Sequence, residues 1–143
     1  MREILFRGKR CDNGEWVEGF YVRADHHWHE NGIHKDWIIC GASANGGWFA
    51  LHNKYAVKTD TVGQYTGLTD KNGKKIFEGD ILEFSDRLVA VFWHTHLGCW
   101  DSNFLKFTNK ENGRDNMSPL NWGYKSIVIG NIHDNPELLE GGE

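Results

Sequence analysis

The sequence predicts a mainly β chain, built as a small barrel or sandwich. Three observations carry that prediction. Asn-Gly occurs five times, at 13–14, 31–32, 45–46, 72–73 and 112–113, and this dipeptide suits the positive-φ backbone of tight hairpin turns. Several of these turns separate runs in which apolar and polar residues alternate with period two, the signature of a half-buried strand. Finally, the chain has 17 Gly against 2 Pro, with 7 Trp and 8 Phe, and no stretch repeats apolar residues over a long helical face.

The elements follow in order. Ile4–Arg7 and Trp16–Arg23 alternate on either side of Asn13-Gly14 and read as a hairpin. Asp25 to Lys35 is polar and rich in His. Asp36 to Ala42 reads as a strand, and Asn45-Gly46-Gly47 turns the chain into Trp48–Leu51. An extended run at 55–65 leads to the turn Thr69-Asp70-Lys71-Asn72-Gly73. Ile76-Phe77 and Ile81–Phe84 flank Gly79-Asp80. Leu88–Thr95 is almost continuously apolar, as a strand covered on both faces would be. Trp100–Phe107 is placed to pair with it, 108–125 reads as a loop, and Ser126–Ile132 as the last strand. Asn135 suits an N-cap, Pro136 a first helical position and Glu137 the positive end of a helix dipole, so a short terminal helix is expected.

Charge excludes some functions. The chain carries 20 acidic and 16 basic residues, a net −4. Asp134, Glu137, Glu140 and Glu143 hold that whole excess, so the body before them is neutral. A generic duplex binder needs clustered Lys and Arg to displace counterions. The nearest approach is Arg2, Arg7, Lys9 and Arg10, which read first as a solvated strand face. The longest apolar run, Leu88 to Trp93, is far short of the about 20 residues of a membrane helix. The opening lacks the apolar core of a signal peptide. Cys11, Cys40 and Cys99 form an odd set without a close pair, as expected of reduced thiols. The expectation is a cytoplasmic protein.

Chemical motifs are few. Asp25-His26-His27-Trp28-His29-Glu30-Asn31-Gly32-Ile33-His34 invites a metal reading, because imidazole suits zinc, nickel or copper. The zincin motif needs histidines at i and i+4 on a helix. Here His29 and His34 stand five apart across Asn-Gly. A nuclease reading would start from His26 and His27 with His52 and Asn53 downstream, but lacks its helical metal cradle. His94 and His96 share a strand face, and Cys99 could add a thiolate after Leu97-Gly98, so these three are the candidate metal ligands. Yet both histidines continue the face of Leu88, Ala90 and Phe92, and they read first as covering the end of the core. Cys99 beside either histidine is the nearest approach to a nucleophile and base. Glu78, Asp80 and Glu83 read as solvated charges at a turn. Nucleophile elbow, Walker loop and dinucleotide fingerprint are absent. The chain therefore reads as non-enzymatic, with no cofactor. Trp16, Phe20, Phe92 and Trp100 fit strand faces and are assigned to the core. Trp28, Trp37, Trp48 and Trp122 lie in or beside loops and are assigned to an interface, where tryptophan is a common hot spot.

Three segments carry a family resemblance. They are Arg2-Glu3-Ile4 with Phe6-Arg7; Val62-Gly63-Gln64-Tyr65-Thr66-Gly67-Leu68 with Asp70-Lys71-Asn72-Gly73-Lys74 and Ile76-Phe77-Glu78-Gly79-Asp80-Ile81; and Ile129-Gly130-Asn131-Ile132-His133 with Asn135-Pro136-Glu137-Leu138-Leu139. In this order they resemble the YopX family of phage and prophage proteins. Phe77 and His133 stand where that pattern has Tyr, and 23–58 and 98–125 carry no match. The resemblance implies an SH3-like barrel with an N-terminal β-hairpin extension, in a self-associating phage accessory protein of the bacterial cytoplasm. On that reading 1–58 is an N-terminal β segment, 59–139 the barrel with its terminal helix, and 140–143 an acidic tail. It implies no reaction. Gln64, Tyr65, Gly67, Asp70, Gly73, Gly79, Asp80, Asn135 and Pro136 are the motif residues, and turn chemistry explains most of them structurally. The partners expected are another copy of the chain and a host or phage protein. Membrane is not expected, and the alternative is a nucleic-acid-binding module or a metal-dependent nuclease using the His-rich loop.

Overall fold

The computed structural model describes residues 1–24, 35–84, 87–108 and 118–140. The chain forms two compact units, Met1–Gln64 and Tyr65–Glu143. Every ladder among the described residues is antiparallel.

The first unit contains β1 (Phe6–Lys9), β2 (Trp16–Arg23), β3 (Asp36–Asn45), β4 (Trp48–Ala56) and the start of β5 (Gly63–Thr69). Its strands run in the order β4-β3-β2-β1-β5. The β1–β2 hairpin is in register from Phe6↔Gly19 to Lys9↔Trp16. Its loop is wider than a two-residue turn: Arg10 N–H bonds the Glu15 carbonyl, and only Gly14 takes positive φ. The tight two-residue turn is Gly46-Gly47, at φ 56° and 86°, with Asn45 paired to Trp48. Of the five dipeptides, 13–14, 45–46 and 72–73 mark reversals, with the left-handed conformation on the glycines, while 31–32 and 112–113 lie outside the described residues. Ile38, Ile39 and Val57 are buried. Gly8 leaves the space that Val57 fills, for a Cβ there would meet Val57 at 2.9 Å. Asp36 is buried at the first residue of β3, where it accepts hydrogen bonds from the Tyr21 hydroxyl and from Thr59 Oγ1 at 2.5 Å. The expected extended run at 55–65 is interrupted by a 3-10 turn at Thr59–Thr61, whose Thr61 hydroxyl accepts the Lys9 N–H.

In the second unit the rest of β5 pairs with β6 (Lys75–Phe77), with a register shift between Tyr65 and Thr69. A four-stranded sheet has the order β10-β7-β8-β9, from β7 (Asp80–Phe84), β8 (Arg87–His94), β9 (Cys99–Phe107) and β10 (Ile127–Asn131). Its core is Ile76, Leu82, Phe84, Val89, Val91, Trp122 and Val128, with Leu68 and Trp100 against it. β8 is covered on both faces from Leu88 to Val91 and then emerges, leaving Phe92 half-buried and Trp93 exposed.

The mainly β class and the short helical element near the C-terminus match the sequence reading. Among the described residues the ladders leave each sheet open rather than closing a barrel. Three local expectations need correction. The 108–125 segment contains a 3-10 turn (Pro119–Asn121) and a helix, α1 (Trp122–Lys125). The terminal helix is a 3-10 turn at Pro136–Leu138, and Asn135 does not cap it: its Oδ1 accepts the Asn131 N–H instead. Phe20 is 61% exposed rather than in the core. The β2–β3 register pairs it with Ile39, on the face opposite Tyr21 and Ile38.

A candidate interaction arm

The β3–β4 hairpin is longer than its support. The ladder to β2 ends at Phe20↔Ile39, whereas the β3–β4 ladder continues to Asn45↔Trp48. Beyond Ile39 the two strands run on as a ribbon that, among the described residues, pairs only with itself, and its residues from Ala42 to Lys54 are all exposed. The sequence between Asp36 and Lys54 has no Asp, Glu, Lys or Arg. Strand register sorts the arm into two faces. Ala42, Ala44, Phe49 and Leu51 share one, and Ser43, Asn45, Trp48 and Ala50 the other. Trp48 is 84% exposed and Phe49 70%. Natural proteins protect such edges with Lys, Pro or bulges. This arm has none of these protections between Gly41 and Asn53, so its apolar surface calls for cover.

The base of the arm has its own geometry. Asn53 adopts φ 51°, the only described non-glycine residue with positive φ, opposite Cys40. The Cys40 thiol donates to the Glu18 carbonyl at 3.2 Å, and burial pushes its pKa up, so it stays protonated. Ser43 Oγ and His52 Nε2 are 2.6 Å apart on the arm. That pair is open to water, which suits a surface hydrogen bond better than a nucleophile and base.

The four interface tryptophans separate. Trp48 is at the arm tip. Trp37 is half-buried in β3, paired with Val22 and Ala56. Trp122 is 0% exposed and lies in the core of the second unit, which corrects its assignment to an interface. Trp28, with His26, His27, His29 and His34, lies outside the described residues.

The motif residues hold turns and strand ends. Gln64 pairs with Phe6. Tyr65 is buried, its ring 5.6 Å from that of Phe77 and beneath the Lys75 ammonium at 5.4 Å. Asp70 is buried and accepts the N–H groups of Asn72, Lys74 and Val128 at 2.9, 2.9 and 3.0 Å. Burial alone would raise its pKa, but those backbone donors and the Lys74 charge outweigh it and hold the carboxyl below its usual range. Asp80 is buried and accepts the Phe77 N–H at 2.8 Å. Gly67, Gly73 and Gly79 all take positive φ. Asn135 tucks against Gly130 and Asn131, with Pro136 exposed beside it.

His94 and His96 come together, with ring centroids 6.2 Å apart, and Cys99 pairs with His94 across the β8–β9 hairpin. His94 Nδ1 already accepts the Leu97 N–H. Among the described residues no group of three or more His, Cys, Asp or Glu is arranged to hold a metal ion. The candidate ligands thus form a hairpin end, with the His94 ring 5.8 Å from Phe92.

The basic start is engaged as well. Arg7 and Lys9 stand over the Trp16 ring at 4.6 and 5.7 Å, and Arg10 over Tyr55 at 4.3 Å while pairing with Asp12 at 2.6 Å. The arm escaped the sequence reading, although a signal was present: a long uncharged stretch around a Gly-Gly turn.

Comparison with known proteins gives a consistent picture. The family model described as "YopX protein" matches residues 5–140. The crystal structure of protein EF1440 from Enterococcus faecalis is similar at a TM-score of 0.57 and 26% sequence identity, covering 98% of this chain and 100% of that one. No curated protein matches the chain.

Proposed function

Since the chain belongs to the YopX family, we propose that it is a non-enzymatic phage or prophage accessory module that associates with protein, first with copies of itself, through the β3–β4 arm. The observation that carries this reading is the uncharged arm with Trp48 and Phe49 exposed at its tip. Large aromatics at a protruding tip are typical interface anchors. The three cysteines are free and two are exposed, which suits a reducing cytoplasm. No described helix is long and apolar enough to cross a membrane. A nucleic-acid role is the weaker reading, because the basic strand face is engaged with Trp16 and Tyr55.

Light scattering across a concentration series tests the proposal. The wild type should be larger than a monomer, and the double variant Trp48→Ser, Phe49→Ser should shift to monomer by at least about tenfold in dissociation constant, as loss of hot-spot residues does. A strictly monomeric wild type at high concentration rejects self-association. A salt-sensitive shift of DNA by the wild type would favour the nucleic-acid reading.

A further inference from the structure

The first unit carries a groove of about 550 Å³ beside the root of the arm. Ile4, Leu5, Phe20, Ile39 and Cys40 give it a largely apolar lining, with Arg2, Glu3 and Glu18 as its charged members. Phe20 and Ile4 remain exposed within it. A largely apolar open groove and an uncharged aromatic tip are complementary surfaces on one chain. We propose that the groove is the seat for the arm tip, Trp48 and Phe49, of a second copy. This deepens the self-association reading above and rests on it.

Two arguments select a second copy. The first is reach. Cys40 both lines the groove and begins the arm. The Gly46-Gly47 turn is about six residues further, roughly 20 Å along an extended strand at about 3.3 Å per residue. A paired ribbon cannot double back on its own root over that length, so the tip that fills the groove belongs to another molecule. The second is area. Two aromatic side chains bury about 150–250 Å² each, so one tip supplies roughly 300–500 Å². A stable complex needs about 800 Å² per partner. One tip in one groove falls short. When each copy both donates a tip and receives one, its donated and covered surfaces together approach that figure. Mutual exchange between two copies, or head-to-tail closure of a ring, meets this condition.

Cys40 makes the seat testable. In the full chain carrying Cys11→Ser and Cys99→Ser, Phe49→Cys places a thiol on the tip while Cys40 stays in the groove. Register pairs Phe49 with Ala44, four residues along β3 from Cys40. That is about 13 Å at 3.3 Å per residue, beyond the roughly 7 Å that a disulfide spans between Cα atoms. A bond between these two thiols within one chain is therefore excluded. Oxidised glutathione serves as the oxidant: its S–S bond breaks as it accepts two electrons and the two thiol protons, the protein S–S bond forms, and two reduced glutathiones leave. The expected product is a covalent dimer or ladder on a non-reducing gel, with a peptide linking position 40 to position 49. The thiol-only background without Phe49→Cys should give none. Phe20→Glu, with circular dichroism to verify folding, should weaken assembly at least tenfold. If the tip variants dissociate the protein while Phe20→Glu leaves assembly intact and no 40–49 link forms, the groove is not the seat and the arm reading survives alone. A wild type that is monomeric overturns both.

Discussion

Asp70 directs both carboxylate oxygens at backbone donors, joining its own turn to the start of β10 through Val128. Asn at this position would turn an amide N–H toward one of those donors. Asp70→Asn should cost about 1–3 kcal/mol, the range for leaving buried partners unsatisfied, measured by urea unfolding. Asp36 is similar: burial opposes its ionisation, yet the Thr59 and Tyr21 hydroxyls and the Arg23 and Lys35 charges hold its pKa down. Both folded pKa values are depressed, so the unfolded chain takes up protons first as pH falls. Their contribution is complete above the unfolded value of about 3.9 and is lost below it, through the lower folded values. Asp70→Asn should therefore flatten the acid limb of a stability–pH curve as well as lower its plateau. Trp122 is the other decisive single residue. Its truncation to Ala opens a cavity in the second unit's core, with an expected loss of about 3–5 kcal/mol in denaturant unfolding. The turn role of Asp70 was legible from Thr69-Asp70-Lys71-Asn72-Gly73. The burial of Trp122 was not, because the four-residue α1 offers no periodicity to read and the cluster that receives it comes from β6, β7, β8 and β10.

At the scale of elements, the strands were readable where one face is wet and one dry. β2 alternates, and β8 is a continuous apolar run from Leu88 to Val91, as its burial requires. The arm breaks the usual rule, since its apolar residues are exposed on both faces. Its alternation reads as that of a half-buried strand only if a neighbouring strand is assumed. Nothing local reveals that the ladder between β2 and β3 ends at Ile39. Hydrogen exchange follows from this geometry. Amides of 41–53 that bond only across the ribbon should exchange faster than those of 36–39 in dilute monomer, since a lone two-stranded ribbon is marginal. Raising the protein concentration should protect the arm selectively. Equal protection of the arm at all concentrations would count against arm-mediated association.

For the whole molecule, stability and association should come apart. Trp48→Ser with Phe49→Ser touches neither core, so unfolding free energy of the dilute protein should move by no more than about 0.5 kcal/mol per substitution, as for other surface changes. Assembly, read by light scattering on the same samples, should be lost. The sequence by itself determined the β class, the position of most reversals, the neutral body and the family, because those depend on local periodicity, turn chemistry and short ordered motifs. Only the tertiary structure decided which tryptophans are core and which are surface, where the terminal turn takes its hydrogen bonds, and that the β3–β4 hairpin outruns its ladder to β2 to become an arm. Burial is a property of what the rest of the chain brings alongside a residue, and that is set by long-range pairing rather than by the residue's neighbours in sequence.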